Sequence, residues 1–485
     1  MGPSTIRGTT TSAALAALML GASLVACGGA TYLGEGRDTA YGQAVEAVLD
    51  KQWETGIKAS WSYLETASPD DERFDRAQML FAQSAEGMKL RFAASLFYLD
   101  VAQSRRLPDL ADEAVSGIER IIDAGSYDEA TIVRGFLGTD EITALPVAQT
   151  NFVAYVQGLE SVRQGLDEWA DDRFDEIDEE SPYFHKARYV KAVRHLTNRR
   201  WDEGRAALQA MLEEPRELPK DIRVEARLAL ARLAMEQRRF REAVELYEKV
   251  EDVATERPEL LLEMAWAYYY LGDSRQALGR LIALDAPAYQ ALIAPERFLL
   301  EAFCLRRLCQ FEPARIAAVR LRDAYGEALD DLHRGILPLT SEPLRNAAKQ
   351  RGEARALAEF VARLERELAI VEDRKGSFGE SLTQRLRAIY EDGLFEAERR
   401  LEQVLRDEVR DLSDELVAAE DGVRLVLHEL SVGLLRGRRR PPGPPEAPAP
   451  RIRAAGGRVF YRFRNEFWTD EVDDLLVLIK DRCLQ

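Results

Sequence analysis

From residue 38 to residue 330, apolar side chains recur at three- and four-residue spacing with charged residues between them. This is the pattern of amphipathic helices rather than strands. Ala, Leu, Glu and Arg dominate these stretches, and all are good helix formers. In the middle of the chain the pattern repeats in register. Ala192, Ala231, Ala265 and Ala302 mark one position, and Gly204, Ala243, Ala277 and Ala314 stand twelve residues further on. Leu208, Tyr247, Leu281 and Ala318 follow, then Met211, Val250, Leu284 and Leu321. Counted from Gly204, the period is 39, 34 and 37 residues. Trp201, Phe240 and Phe311 share the place before the second helix, and Ser274 departs from it. Small residues at two fixed places let paired helices approach, and larger ones fill the space between pairs. One pair alone leaves an apolar face bare, so the units must stack. Upstream the pattern is less regular. Ala93-Ala94, Phe97-Tyr98, Ala102 and Ala114 suggest a degenerate unit with an insertion around Arg105 to Leu110. Phe152, Tyr155 and Gly158 suggest another pair, and the acidic stretch Asp167 to Glu180 reads as a solvated helix end or loop.

Beyond Tyr325 the register stops. Pro338 and Pro343 bracket a turn, after which Leu357, Val361, Leu364, Leu368 and Val371 alternate at spacings of four and three. Gly376 to Gly379 breaks the run, and a second series follows: Leu405, Val409, Leu412, Leu416, Ala419, Val423, Val426 and Leu430. Such an a/d seam with charged flanks predicts a coiled-coil hairpin or protruding helical pair. A helix over 382–435 would run roughly 80 Å. A projecting arm is the expectation; folding back on the repeats as extra units is the alternative. Arg438-Arg439-Arg440 then leads into a proline-rich run to Pro450, a semi-rigid spacer. In the last segment Val459, Tyr461 and Phe463 alternate as in a short strand. Thr469 is placed to cap a helix carrying Val472, Leu475, Leu476, Leu478 and Ile479 to Cys483. Some 35 residues rarely build a core alone, so this tail should dock on the solenoid or on a partner.

The repeated unit resembles the tetratricopeptide repeat, a helix-turn-helix of about 34 residues. The clearest copy spans Met264 to Asp285, with Ala265, Tyr268, Leu271-Gly272-Asp273, Ala277 and Leu281. The resemblance implies an all-α solenoid whose first helices line a concave face. Transferred residue by residue, the groove positions fall on Tyr189, Leu228 and Arg232, on Trp266, Tyr269 and Tyr270, and on Phe303, Arg306 and Arg307. Tyr, Trp and Arg dominate binding hot spots. A peptide segment or partner helix is the implied ligand. Trp266 and Tyr269 read equally well as core between repeats.

Compartment comes from the other end. Ala13 to Val25 is apolar, shorter than a membrane-spanning helix, and ends in Leu24-Val25-Ala26-Cys27. This resembles the lipobox of a bacterial lipoprotein precursor. The resemblance implies cleavage before Cys27, a diacylglyceryl group and an N-acyl chain on that cysteine, and, with Gly28 next, sorting to an outer membrane. Two or more acyl chains anchor stably where one does not. The division expected is a signal peptide over 1–26, a lipidated tether over 27–37, a solenoid over 38–330 (clearest over 184–330), an arm over 331–436, a linker over 437–450 and a tail over 451–485.

The 485 residues carry a net charge of -18, which argues against nucleic-acid binding by the body. Nine arginines between Arg436 and Arg464 face one acid, Glu446, a basic tail suited to anionic envelope material such as lipid headgroups or cell-wall polymer. Besides Cys27 there are Cys304, Cys309 and Cys483. The first two lie about 140° apart on one helix and should not pair with each other. They read as buried thiols, with Cys483 free or bridging to another chain. No Walker loop, Gly-x-Gly-x-x-Gly or Gly-x-Ser-x-Gly motif occurs, and His428-Glu429 has no second histidine to make a zinc helix. Neither a catalytic nor a metal site is expected, and no cofactor beyond the lipid. The stretch from Phe463 to Val472, with Glu466-Phe467-Trp468 and Asp470-Glu471 before the terminal Cys483, resembles the end motif of tetratricopeptide-repeat proteins in gliding deltaproteobacteria. The expected role is a periplasm-facing lipoprotein scaffold in an assembly, secretion or gliding machine. It would hold envelope proteins by its concave face and arm. Alternatives are a regulator of a cell-wall synthase and a peptidoglycan-acting hydrolase or transglycosylase.

Overall fold

A computed structural model describes residues 35–104, 106–123, 147–214, 218–250, 257–289, 292–438 and 477–483. No strand occurs among them. Five helices come first: α1 (Glu35–Leu49), α2 (Trp53–Leu64), α3 (Phe74–Gly87), α4 (Arg91–Ser104) and α5 (Pro108–Asp123). After residues 124–146, outside the described set, follow α6 (Val147–Arg163), α7 (Asp167–Asp175), α8 (Pro182–Thr197), α9 (Trp201–Glu213), α10 (Lys220–Glu236) and α11 (Phe240–Glu248). The series ends with α12 (Glu259–Leu271), α13 (Ser274–Ala283), α14 (Glu296–Arg307) and α15 (Phe311–His333). Successive helices pack on one another, and the first helices of consecutive pairs also touch, as in α8 with α10 and α12 with α14. The protein is an all-α, tetratricopeptide-like solenoid.

All four register positions read from the sequence are buried, including Ala192, Ala231, Ala265 and Ala302 at no more than 1% exposure. The turns repeat as strictly as the helices. Lys51, Lys89, Gly165, Arg199, Arg238, Gly272 and Cys309 each take positive φ between the two helices of a pair. In each turn that residue's N–H donates three residues back, and the next N–H donates five back, as in Arg238 to Met235 and Arg239 to Ala234. These bonds satisfy carbonyls that the helix end leaves bare. The same turn thus reaches into the irregular N-terminal region. Of the residues expected as an insertion, Pro108 to Leu110 are already the first turn of α5, and only Arg106 and Leu107 are described before it. The acidic stretch after residue 167 is not merely solvated. It forms α7, which buries Ala170 and Phe174. A Cβ on Gly158 of α6 would stand 2.4 Å from the Phe174 ring, so glycine there permits the close pairing.

The C-terminal helices correct the expected projection. After a 3-10 turn at Pro338–Thr340 come α16 (Glu342–Ala348), α17 (Gly352–Asp373), the one-turn α18 (Lys375–Phe378) and α19 (Glu380–Arg438). Gly379, at φ +81°, turns the chain between α18 and α19. At 59 residues α19 is about 88 Å long. It pairs with α17, and the pair folds back. The α19 residues Leu382, Leu386, Ile389, Tyr390 and Ala397 enter the core of the N-terminal repeats. Leu405, Val409, Leu412, Leu416, Val423, Val426 and Leu430 enter the core of the C-terminal repeats instead. Only α17 and α19 contribute to both of these cores among the described residues. The hairpin therefore links the last repeats to the first and closes the solenoid on itself.

Its N-terminal junction is built around Phe92 at the start of α4, packed between Phe360 and Tyr390 with ring centroids 6.1 and 5.9 Å away. Glu367 of α17, itself buried, accepts from the Phe92 N–H at 3.0 Å and the Tyr390 hydroxyl at 2.8 Å. A carboxylate suits this place, because the first turn of α4 offers unpaired N–H groups and the positive end of its dipole. Nearby, Trp61 Nε1 donates to Ser381 Oγ at 3.0 Å, and Glu54 accepts from Ser377 and pairs with Arg374. The Ser377 hydrogen bond, ahead of the Arg374 charge, holds the Glu54 carboxyl below its ordinary 4.5. A depressed carboxyl stabilises the fold above the unfolded value, and that contribution disappears as pH falls through the folded value. Exchange of the Phe378 amide should therefore speed up as pH drops below about 4.5, after correction for intrinsic rates. In Glu54→Gln that pH dependence should vanish.

At the other end Arg345 pairs with Glu402 at 2.9 Å, Arg351 with Glu415 at 2.6 Å, and His333 with Glu420 at 2.8 Å. The seam expected to join two arm helices is used here against the repeats. The tail departs from expectation as well. Residues 477–480 form no helix, and Cys483 is bonded to Cys309 rather than free or joined to another chain. Cys304 is the buried thiol anticipated; Cys309 is not. The expected strand over 459–463 and the start of the helix at Thr469 lie outside the described residues.

Candidate interaction surface

The structure gathers six of the nine predicted groove residues into one strip. On α12, Trp266 stacks on Tyr270 at 5.5 Å and meets Tyr269 edge-on at 5.9 Å. Tyr270 also stacks on Phe240 of α11 at 4.8 Å and 15°. Tyr269 stacks on Phe303 of α14 at 6.0 Å. Arg307 lies 5.5 Å over the Tyr269 ring and donates from Nη1 to the Tyr269 carbonyl at 2.8 Å. Arg306 lies 5.7 Å over Phe303 and pairs with Glu429 of α19. Ring faces carry the negative side of the aromatic quadrupole, so guanidinium groups settle there. The strip exists because consecutive turns of α12 place Trp266 and Tyr270 four residues apart, on one face. Tyr270 is its exposed aromatic member at 50%, and Arg307 is exposed too, while Trp266, Tyr269 and Phe303 are half-buried.

Of the other three, Leu228 is buried in the core of the C-terminal repeats and does not face the groove, and Arg232 and Tyr189 lie apart. Arg232 forms two 2.9 Å bonds to Glu263, which also accepts from Tyr247 at 2.9 Å. The Glu263 bond holds its guanidinium well above the usual range. Tyr189 lines a hollow of about 340 Å³ with Phe152, Tyr155, Tyr183, Lys186 and Glu225. Burial, and then the Glu225 charge, pushes its hydroxyl up to about 12. Sequence reasoning did not assign Phe240 to the surface, nor find Glu429. Phe240 belongs to a second helix, outside the groove positions, and no spacing rule links residue 306 to residue 429. The α14 part of the groove is already occupied, because α19 lies across it with Gly422 against Leu299. Cys27 lies outside the described residues, as do Arg439 and Arg440, and Arg438 ends α19. Among the described residues no group of three metal-ligating side chains occurs. No helix of the described residues is long and apolar enough to cross a membrane.

No family model and no curated protein matches the chain. Solved structures similar to it include a tetratricopeptide repeat protein from Parabacteroides merdae, at 10% identity over 60% of this chain and 94% of that one, TM-score 0.27. Another is a Rap protein complexed with competence and sporulation factor, at 12% identity over 76% and 100%, TM-score 0.29. A third is a signal-transduction ATPase with a tetratricopeptide repeat sensor from Pyrococcus horikoshii, at 13% identity over 84% and 65%, TM-score 0.36. The fold class here rests on the helix pairing and the repeated turn.

Proposed function

We propose that this chain is a lipid-anchored scaffold of a bacterial cell envelope, attached through Cys27 and holding a partner protein on the strip around Tyr270. The half-exposed Tyr270, stacked between Phe240 and Trp266 and against the Tyr269 ring that Arg307 covers, is the observation that carries this reading. Rigid, pre-stacked rings lose little entropy when a partner covers them. An exposed guanidinium beside them suits a carboxylate on that partner. The leader ending in Leu24-Val25-Ala26-Cys27 supports export and acylation, with the outer membrane as the destination. A Cys309–Cys483 bond suits an oxidising compartment such as the periplasm. The net charge of -18 speaks for protein partners over nucleic acid. The hairpin's inward seam is used internally, so partners would meet only its outer face.

In-cell crosslinking and affinity purification test this, comparing wild type with Tyr270→Ala. A hot-spot tyrosine is worth about 2 kcal/mol or more, so the variant should bind its envelope partner at least about 30-fold more weakly. Its circular dichroism should be unchanged. Cys27→Ser should leave the protein soluble after cell fractionation. Undiminished partner recovery by the Tyr270 variant would remove the strip from the account, and a membrane-bound Cys27→Ser would remove the anchor.

A further inference from the structure

The segment 477–483 is the chain's last described stretch, and it lies across the turns of two consecutive repeats. The Arg482 N–H donates to the Leu308 carbonyl at 3.0 Å, in the α14–α15 turn. Gln310 Nε2 donates to the Lys480 carbonyl at 2.6 Å, and Arg275 Nε, at the start of α13, donates to the Ile479 carbonyl at 3.1 Å. Val477 and Ile479 pack against the core of the C-terminal repeats. The Cys309–Cys483 bond fixes the far end, with the two Cα atoms 5.2 Å apart. Cys309 takes the positive-φ place of its turn, the place held by Gly272 one repeat earlier.

We infer that 477–483 is a thiol-controlled strap: bonded to Cys309 it is held across the turns of α12–α13 and α14–α15, and with both thiols reduced it comes away. None of its seven residues is buried. Three hydrogen bonds and two half-buried aliphatic side chains do not match the conformational freedom that seven irregular residues lose on docking. The covalent bond supplies the difference by keeping the segment at its seat. Cys483 is exposed and Cys309 half-buried, so the bond is open to exchange. Closure removes two protons and two electrons from the two thiols as the sulfur–sulfur bond forms. A disulfide-bearing oxidant accepts both, its own bond breaking to two thiols. Opening is the reverse, with a dithiol as reductant. Cys304 takes no part, because burial pushes its thiol up to about 12 and keeps it protonated. The cytosol keeps such pairs reduced and an oxidising compartment closes them. The seat includes Leu308 and Arg275, beside Arg307 and the Tyr270 strip, so release exposes surface bordering the candidate partner site. The strap itself stands on Cys309 and Cys483 and needs neither Cys27 nor a partner.

The full-length chain, extracted from cells with an alkylating agent present, should yield a linked Cys309–Cys483 peptide pair, with Cys304 labelled only after denaturation. Hydrogen exchange should show the Arg482 amide protected in the oxidised chain. Exchange there should be about tenfold faster or more after dithiothreitol. Cys483→Ser should show the fast rate without reductant and leave exchange in α8–α11 unchanged. The inference fails if both thiols are alkylated in the extracted protein. It fails equally if Cys483 is joined to a second chain, or if Arg482 keeps its protection after reduction.

Discussion

Replacing Glu367 with alanine is expected to loosen the junction between the hairpin and α4 by about 3–5 kcal/mol, the largest single effect among the substitutions considered. The carboxylate is 5% exposed and accepts from the Phe92 N–H and the Tyr390 hydroxyl. Hydrogen bonds to a charged acceptor are worth about 1.5–3 kcal/mol each, and truncation leaves both donors buried without that acceptor. Glutamine keeps the shape and one acceptor oxygen, so Glu367→Gln should lose roughly half as much. A chain of stacked repeats need not unfold in one step. The loss should therefore be read locally, as faster hydrogen exchange in the first turn of α4 and in α17. Exchange in α8–α11, away from the junction, should not change.

Gly393→Leu should have the second largest effect, about 2–3 kcal/mol against docking of α19 on α4. A Cβ at this position would stand 2.4 Å from Phe92 Cε1 and 2.7 Å from Cζ. Phe92 is 4% exposed and confined by Phe360 and Tyr390, so its ring has no room to withdraw. The strain falls on a contact that holds the ends of the solenoid together, so the expected result is an opened molecule rather than an unfolded one. Small-angle scattering should report a larger radius of gyration with unchanged helical content by circular dichroism. Gly376→Ala is the matched control. Its Cβ would meet nothing within 4 Å, and alanine should be neutral or stabilise by up to about 1 kcal/mol.

The repeats were legible because packing demands small residues at fixed places, and Ala192, Ala231, Ala265 and Ala302 fill one of them without exception. The N-terminal repeats were harder to read. The turns gave no help, since Lys51 and Lys89 hold the positive-φ place as Arg199, Arg238 and Cys309 do in the clear repeats, where glycine would have announced it. Lysine carries no such signal. The hairpin was legible as two helices and not as a position. Leu405 to Leu430 is the same a/d seam whether it faces a partner helix or the last repeat, because periodicity reports that a face is buried and not what buries it. The closure depends on Glu367 meeting Phe92 and on Gly393 leaving room for that ring. These are contacts between residues 275 and 301 positions apart, without a local sequence signature. Of the candidate surface, Trp266, Tyr269, Tyr270, Phe303, Arg306 and Arg307 could be named from the repeat register. Their mutual stacking, the addition of Phe240 and the capture of Arg306 by Glu429 could not. The disulfide was missed for a related reason. Angular spacing on an expected helix kept Cys304 and Cys309 from each other, though Cys309 lies in the turn after α14, and it said nothing about a cysteine 174 positions further along.

Closure also bears on function. A solenoid tied at both ends presents its aromatic strip on a rigid body, and an open one would present it on a spring. The most direct test is lysine crosslinking of the monomeric full-length chain, read by mass spectrometry. Lys58 lies one helical turn from Glu54, Arg374 pairs with Glu54, and Lys375 follows Arg374, with both lysines exposed. Closure predicts a Lys58–Lys375 crosslink within one chain, formed as readily as the local Lys51–Lys58 link and lost in Gly393→Leu. Recovery of the local link without Lys58–Lys375, or of Lys58–Lys375 only between two copies, would contradict it.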